Sequence, residues 1–285
     1  METMNNSQGP LISIIIATLN NKRTLQQCID SVAKQTYPNK ELIIIDGGSK
    51  DGTVNLLEEN SDNFGYWISE PDRGVYNAWN KGLVQAKGDW ICFIGSDDFF
   101  WNENVLDQMV AHLKNLLPSI LIAYGQVMRL NAEGHVLHLD GEPWLKAKKR
   151  FKQFMSIPHP AVMHRRCLFE RWGKFNESFQ IAGDYELLLR ELKTGNAVFF
   201  SDIIAIGVRS GGISTLPNNK IKALREIRRA QRVHGQIFPS KFFLMSMGKE
   251  YFRIFFWKVL GDRLAIKLIN FRRRISGLPL YETKT

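Results

Sequence analysis

At 285 residues, 44% of them hydrophobic and 23% charged, the chain has the size and composition of one large globular domain or a domain with an appendage, not of a disordered protein. Its three cysteines, Cys28, Cys92 and Cys167, are odd in number, far apart and without a CxxC pair, which argues against a disulfide framework or a zinc site. The formal net charge of +10 is unevenly placed: residues 217–285 hold 16 Lys and Arg against 4 Asp and Glu, so the first 216 residues are slightly acidic and an anionic partner is expected for the C-terminal segment alone.

The polar start METMNNSQGP is followed by an apolar run, Leu11 to Ala17, that lacks a basic leader and the flanks of a signal peptide. No stretch reaches the roughly 18–20 apolar residues of a membrane span, so a location on the cytoplasmic side is expected. LISIIIAT (11–18), ELIIID (41–46) and DWICFI (89–94) are β-branched or apolar runs of the kind that form strands buried on both faces. Between the first two, Leu25, Cys28, Ile29 and Val32 fall at helical spacing, with Thr24 and Gln27 fitting a capping box. Thr53 to Asn60 and Asn77 to Ala86 read as further helices. Strand and helix alternate three times, which predicts a doubly wound α/β sheet.

Further on, ILIAYGQVMRL, the turn NAEG and HVLHLD read as a β-hairpin over 120–140. A short basic, aromatic stretch covers 143–155, DYELLLRELK (184–193) is a helix, and AVFFSDIIAIGV (197–208) is a strand pair. From about 218 the chain reads as helical and basic, with clustered aromatics. The expected division is an α/β domain over 1–216 and a basic, aromatic helical tail over 217–285.

In sheets of this kind ligands bind beyond the carboxyl ends of the strands. Those ends carry Thr18-Leu19-Asn20, Asp46-Gly47-Gly48-Ser49 and Gly95-Ser96-Asp97-Asp98, so Asp46, Asp97 and Asp98 should surround one crevice. The adjacent pair Asp97-Asp98 makes sense if a hard divalent cation or a ribose hydroxyl neutralises it; the plain alternative is a turn cap and a solvated neighbour. Asp51 and Thr53 read best as helix caps. Asp46 closes a strand, where a ligand contact and a structural role are equally open. In SEPDRGVYNAWNKGL (69–83), Arg73 and Lys81 suit phosphate oxygens, or the segment is an ordinary helix entry.

IIIATLN, ELIIIDGGSKDGT, SEPDRGVYNAWNKGL and GDWICFIGSDD, in this order and spacing, resemble the inverting family 2 glycosyltransferases of GT-A fold, in particular those that build bacterial O-antigen and exopolysaccharide. The resemblance covers roughly residues 10–215 and is strongest over 11–98. It implies a nucleotide-sugar pocket lined by Thr18 and Asn20, with Asp46 on the uracil or ribose, and Asp72, Arg73 and Asn80 closing it. It implies that Asp97 and Asp98 form the DXD region, Asp97 toward ribose and Asp98 holding Mn²⁺ or Mg²⁺ on the diphosphate. Asp184, in IAGDYELLLREL, takes the place of the catalytic base. Two departures stand out: Gly95 where many relatives carry the first metal-loop carboxylate, and Gly183 where many carry Glu. No QxxRW motif is present, which points to transfer of one sugar, not processive synthesis.

On this reading a UDP-sugar is the donor and a glycan or polyprenyl-diphosphate-linked chain the acceptor. The helix dipole at Asp184 lowers its basicity, so burial or the nearby Glu186 has to offset that effect. His159, between two prolines in SIPHPAVMHRR, is expected on an exposed loop facing the acceptor, or is a loop histidine pinned by its neighbours. Gly211-Gly212-Ile213-Ser214 is a candidate loop over the diphosphate. His135 and His138 are three apart on an expected strand and make no metal pair. The basic, aromatic tail, with Arg272-Arg273-Arg274, suits an anionic membrane surface, which makes the protein peripheral on the inner face of the plasma membrane. Two other readings stay open: a catalytically weak nucleotide-binding scaffold, suggested by Gly95, and a nucleic-acid-binding protein, suggested by the tail's charge although the fold itself is slightly acidic.

Overall fold

The computed structural model describes residues 9–212 and 219–275, from residue 257 onward chiefly as helical backbone. The three apolar runs are strands β1 (Ile12–Thr18), β2 (Lys40–Asp46) and β4 (Trp90–Gly95), joined through helices α1 (Lys22–Ala33), α2 (Thr53–Glu59) and α3 (Val75–Gln85). A short strand that sequence periodicity does not mark, β3 (Tyr66–Ser69), precedes α3. The order β3-β2-β1-β4 is parallel throughout, with Thr18 opposite Asp46, Asp46 opposite Ser69 and Ala17 opposite Gly95. Register thus brings four carboxyl ends level, and with them the loops that follow.

The rest of the sheet is mixed. After β5 (Phe99–Phe100) and α4 (Val105–Leu113) come β6 (Ile122–Leu130), β7 (Val136–Asp140), α5 (Trp144–Phe151), β8 (Val162–Arg165), α6 (Arg166–Trp172), α7 (Gly183–Leu192) and β9 (Ala197–Arg209). The sheet continues from β4 through β8, β6 and β9 to β5, and β7 forms the expected hairpin with β6. Residues 197–208, expected as two strands, lie within one 13-residue strand. Ser201-Asp202 marks a bulge, not a turn: Tyr124 pairs with Phe199 and Gln126 already with Ile204. Gly125 permits it, since a Cβ there would stand 2.9 Å from the Ile203 carbonyl. β9 reaches back to pair with β5, which only three residues separate from β4.

The core lies on both faces of the sheet. Ile14 and Ile16 pack with Leu25, Cys28 and Ile29 on one side, and Ile15, Ile43 and Ile45 pack with Tyr76, Trp79 and Leu83 on the other. Alternate residues of a doubly covered strand face opposite layers, which is why these runs are apolar throughout. At the start of α1 the expected capping box is not formed: Asn21 is the N-cap, and the Thr24 hydroxyl donates to Asn21 Oδ1 at 2.8 Å. The three cysteines are free thiols, two of them buried.

The boundary expected after 216 moves. The chain divides into compact units at 237/238, and α8 (Lys220–Val233) belongs to the first because its side chains bind the 152–186 region. The second unit holds the helix α9 (Lys241–Ile275). Among the described residues no helix is long and apolar enough to cross a membrane.

Candidate functional site

The strand tips are tied into one assembly. Asn21 Nδ2 donates to Ser96 Oγ at 2.8 Å and the Thr24 hydroxyl to the Ser96 carbonyl at 3.2 Å, joining the β1 and β4 loops. Asn20, the one non-glycine residue with positive φ (49°) among those described, receives Lys50 N–H on Oδ1 at 2.8 Å. The left-handed region suits Asn, and its side chain here braces the β2 loop. Thr18 is 4% exposed and its hydroxyl has no hydrogen-bond partner, an unmet polar group at the tip of β1.

Asp46 is fully buried. Its carboxylate receives the amides of Gly48 (3.1 Å) and Ser49 (2.9 Å) and the hydroxyls of Ser49 and Ser69. Both oxygens therefore shape the Gly47-Gly48 turn from within. Asp72 lies on that turn, for a Cβ on Gly47 would come within 2.6 Å of its Oδ2; its Oδ1 accepts Gly74 N–H at 2.8 Å.

Arg73 and Asn80 converge on Glu177, which the sequence alone does not single out. Arg73 Nη2 reaches Glu177 Oε2 at 2.6 Å, with Asn77 Nδ2 and Asn80 Nδ2 each at 2.9 Å. Hydrogen bonds from Asn80 first, then Asn77 and the charge of Arg73, hold the Glu177 carboxyl below its ordinary range against the effect of burial. Asn80 is 8% exposed and also clasps both backbone groups of Phe175, at 2.9 and 3.0 Å. It is a clamp between α3 and the segment leading to α7, with no group left to face a nucleotide except one carbonyl lone pair.

Asp97 and Asp98 turn toward the same point. A Cβ added to Gly95 would stand 2.9 Å from Asp97 Oδ1 and 3.0 Å from Asp98 Oδ2. The glycine that replaces an expected carboxylate is thus what lets the two remaining carboxylates fold inward. Asp98 is 6% exposed; burial, and then the charge of Asp97, push its carboxyl well above the usual range. Arg209, at the end of β9, closes the turn: its Nη1 donates to the Asp97 carbonyl at 2.7 Å, its backbone N–H to Asp98 Oδ1 at 3.3 Å, and its guanidinium lies over Phe99. Two convergent, partly uncompensated carboxylates fit a hard divalent cation. Among the described residues no cluster of three or more ligand side chains exists, so substrate oxygens and water would supply the rest of the shell, as is usual for Mg²⁺ beside phosphates.

Asp184 is the second residue of α7. Its Oδ1 receives the Tyr76 hydroxyl at 3.2 Å and the Tyr185 amide at 2.8 Å. Burial raises its pKa to about 6; those two hydrogen bonds work in the opposite direction, and the charge of Glu226 adds to the rise. Glu186 does not take part: burial opposes its charge, but hydrogen bonds from His234 and Arg190 hold its carboxyl low. Gly183 has a steric reason, since a Cβ there would stand 2.8 Å from the Tyr76 ring. Tyr76, Arg209 and Glu226 lack any sequence signal, because each acts across more than 40 residues of chain.

His159 is not exposed. Pro158 and Pro160 fold it into a helical turn (His159–Ala161) that packs inward, leaving it 5% exposed among Trp79, Phe93, His164 and Phe175. Burial drops its pKa to about 3. It is a neutral core histidine, so the expected acceptor contact is withdrawn. Ile213, Ser214 and the side chains of Arg272, Arg273 and Arg274 lie outside the described residues. A separate cavity of about 320 Å³, lined by His112, Phe199, Phe200 and Asp202, sits toward the amino end of β9 and holds none of these carboxylates.

The profile of Glycosyl transferase family 2 matches residues 13–169. A PGL/p-HBAD biosynthesis glycosyltransferase of Mycobacterium bovis is 34% identical over 188 residues, covering 64% of this chain and 70% of that protein. The solved structure of S. aureus TarS 1-349 in complex with UDP-GlcNAc superposes with a TM-score of 0.62 at 17% identity, covering 85% of this chain and 71% of that one. Against the longer S. aureus TarS structure this chain spans 43% of the length. The mannosyltransferase PcManGT of Pyrobaculum calidifontis, solved with GDP-Man and Mn2+, gives a TM-score of 0.57 at 16% identity, over 94% of this chain and 81% of that one. These structural likenesses establish a GT-A fold. The family match extends over more than half of the chain and takes in the β1, β2 and β4 tips described above: the chain belongs to glycosyl transferase family 2 and is a glycosyltransferase.

Proposed function

We propose that this enzyme moves one sugar, with inversion, from a UDP-sugar to a glycan or polyprenyl-diphosphate-linked acceptor in bacterial surface polysaccharide synthesis. One observation carries the reading: two acidic sites are tuned differently, a convergent pair at Asp97-Asp98 in the loop after β4 and a single carboxyl with a pKa of about 6, Asp184, at the start of α7. Thr18, with its unpartnered hydroxyl, and Asp72 line the donor side, while Asn20 and Asp46 shape the loops around it. Arg73 is 79% exposed at its side chain and available to swing from Glu177 to a donor phosphate. Asp97 and Asp98 would hold Mn²⁺ or Mg²⁺, which supplies Lewis-acid stabilisation of the departing diphosphate when bound. Asp184 takes the proton of the acceptor hydroxyl, a role worth about 10²–10⁴-fold. A pKa near 6 leaves it mostly ionised at neutral pH yet more basic than an ordinary carboxylate. Direct displacement converts an α-linked donor into a β-linked product.

The UDP-GlcNAc bound by TarS supports a uridine donor, the Mn2+ in PcManGT a metal, and the mycobacterial relative's name a bacterial glycan pathway. For α9, exposed Phe252 and Phe255 beside Lys249 and Arg253 support docking on an anionic membrane face. The test is to incubate the protein with Mn²⁺, a panel of UDP-sugars and a lipid-diphosphate-GlcNAc acceptor and to measure UDP release and product mass. Asp98→Ala and Asp184→Ala are each expected to abolish transfer. Normal turnover in either removes the role given to that residue.

A further inference from the structure

Helix α8 lies beyond the residues matched by the family profile. Its Glu226 is 9% exposed and turns its carboxylate onto the chain that enters α7. There it accepts the amides of Gln180 (3.0 and 3.1 Å), Ile181 (2.8 Å) and Ala182 (2.9 Å). The neighbouring side chains of α8 fasten the same segment and, through Gln231, the chain after α5. The Arg229 guanidinium stands 3.7 Å over the Phe179 ring and donates to Ser178 Oγ at 3.1 Å, Lys222 reaches Gln180 Oε1, and Gln231 Nε2 binds the Lys152 and Gln153 carbonyls. Asp184 follows two residues after the last of the three captured amides.

We propose that Glu226 is a positioning residue of the transfer reaction, gathering the Gln180, Ile181 and Ala182 amides so that Asp184 is held in one orientation at the start of α7. This rests on the reading of Asp184 as the base. A neutral acceptor is enough to cap a helix start; a buried carboxylate in that place adds negative charge beside the base. The groups facing Asp184 are Tyr76 from α3, the Tyr185 amide from its own helix, and Glu226 from α8. Tyr76 and the amide favour the ionised base, and Glu226 disfavours it. Glu186, the other acid in this part of α7, is matched by Arg190 and His234. Glu226 therefore does two things at once: it removes the freedom of the loop, and it makes the Asp184 carboxylate a stronger proton acceptor.

The test uses the full chain and does not depend on knowing the sugar. Urea unfolding is measured from pH 4.5 to 8 for wild type, Asp184→Asn, Glu226→Gln and the double variant. With Glu226 present, the stability advantage of Asp184→Asn is expected to open as pH rises through about 6. In the Glu226→Gln background it should open at lower pH and be smaller. An identical pH course in both backgrounds overturns the proposal. Glu226→Asp, which withdraws the charge by one methylene, is the second variant, with a change in the same direction expected and an unchanged course counting against the proposal. With a donor that supports wild-type turnover, Glu226→Gln is expected to lower kcat on the order of tenfold and to shift the acidic limb of the pH profile downward. Turnover retained in Asp184→Asn would sink the reading of Asp184 as base while leaving the measured coupling with Glu226 intact, so the two failures are distinguishable.

Discussion

Asp98 and Asp184 are both carboxylates displaced toward their protonated forms, and the surroundings decide what each is fit for. Asp98 is raised by burial and by the anion next to it, which a cation relieves. Asp184 is raised chiefly by burial, with no cationic partner among the described residues, and stops at about 6 because two hydrogen bonds stabilise its charge. Its folded pKa lies above the ordinary carboxylate value, so the folded state binds the proton more tightly. The stability this group contributes is complete below about pH 4 and is lost as pH rises through about 6. Asp184→Asn should accordingly unfold at higher temperature than wild type at pH 8 and at nearly the same temperature at pH 4, a comparison that calorimetry makes directly. Tyr76→Phe removes one of the stabilising hydrogen bonds and little volume, so the acidic limb of the turnover profile should move to higher pH. A limb that moves downward would show that the hydroxyl does not act on Asp184.

At the scale of elements, the site depends on how closely α3 sits on the sheet. A Cβ on Gly82 would stand 2.5 Å from Ile15 Cγ2, closer than packed carbons come. Gly82→Ala should lift α3 and destabilise the fold by about 1–3 kcal/mol, read as a lower urea midpoint at unchanged slope, and should disturb Tyr76 and Asn80 together because they share that helix. Asn80→Ala tests the clamp separately. It leaves the buried backbone groups of Phe175 without their partner, a loss of about 1–3 kcal/mol; if Asn80 served only a ligand, stability would not change.

For the whole molecule, α8 matters more than its place in the basic segment suggests. It has the charge of a tail and the contacts of a domain helix. A chain ending at Ile237 keeps the Glu226, Arg229 and Gln231 contacts and should melt as a cooperative unit close to the full chain, whereas one ending at residue 216 should melt at clearly lower temperature. Vesicle co-sedimentation separates the second unit's role: the full chain should bind vesicles rich in anionic lipid in a salt-sensitive way, and the chain ending at Ile237 should bind them weakly. Equal binding by both would remove the membrane role given to α9.

Local pattern sufficed for β1, β2 and β4, because strands covered on both faces must be apolar at every position, and for α1, α3 and α7, because helical spacing survives in a single sequence. The row Thr18, Asp46, Gly95 follows from those strands once they are parallel, and the pair Asp97-Asp98 is visible as two like charges closing an apolar run. What tertiary structure alone decided is which polar groups face a ligand and which face the protein. Asp46 and Asn80 carry the same chemistry as ligand-binding residues, yet donors from the β2 loop and β3 occupy Asp46, and the Phe175 amide and carbonyl occupy Asn80. His159 became a core residue because two prolines turn it under an aromatic cluster. The raised pKa of Asp184 comes chiefly from burial, held back by the Tyr76 hydroxyl and added to by the charge of Glu226, each more than 40 positions away along the chain. Burial and through-space charge set these properties, and neither leaves a trace in the order of residues along the chain.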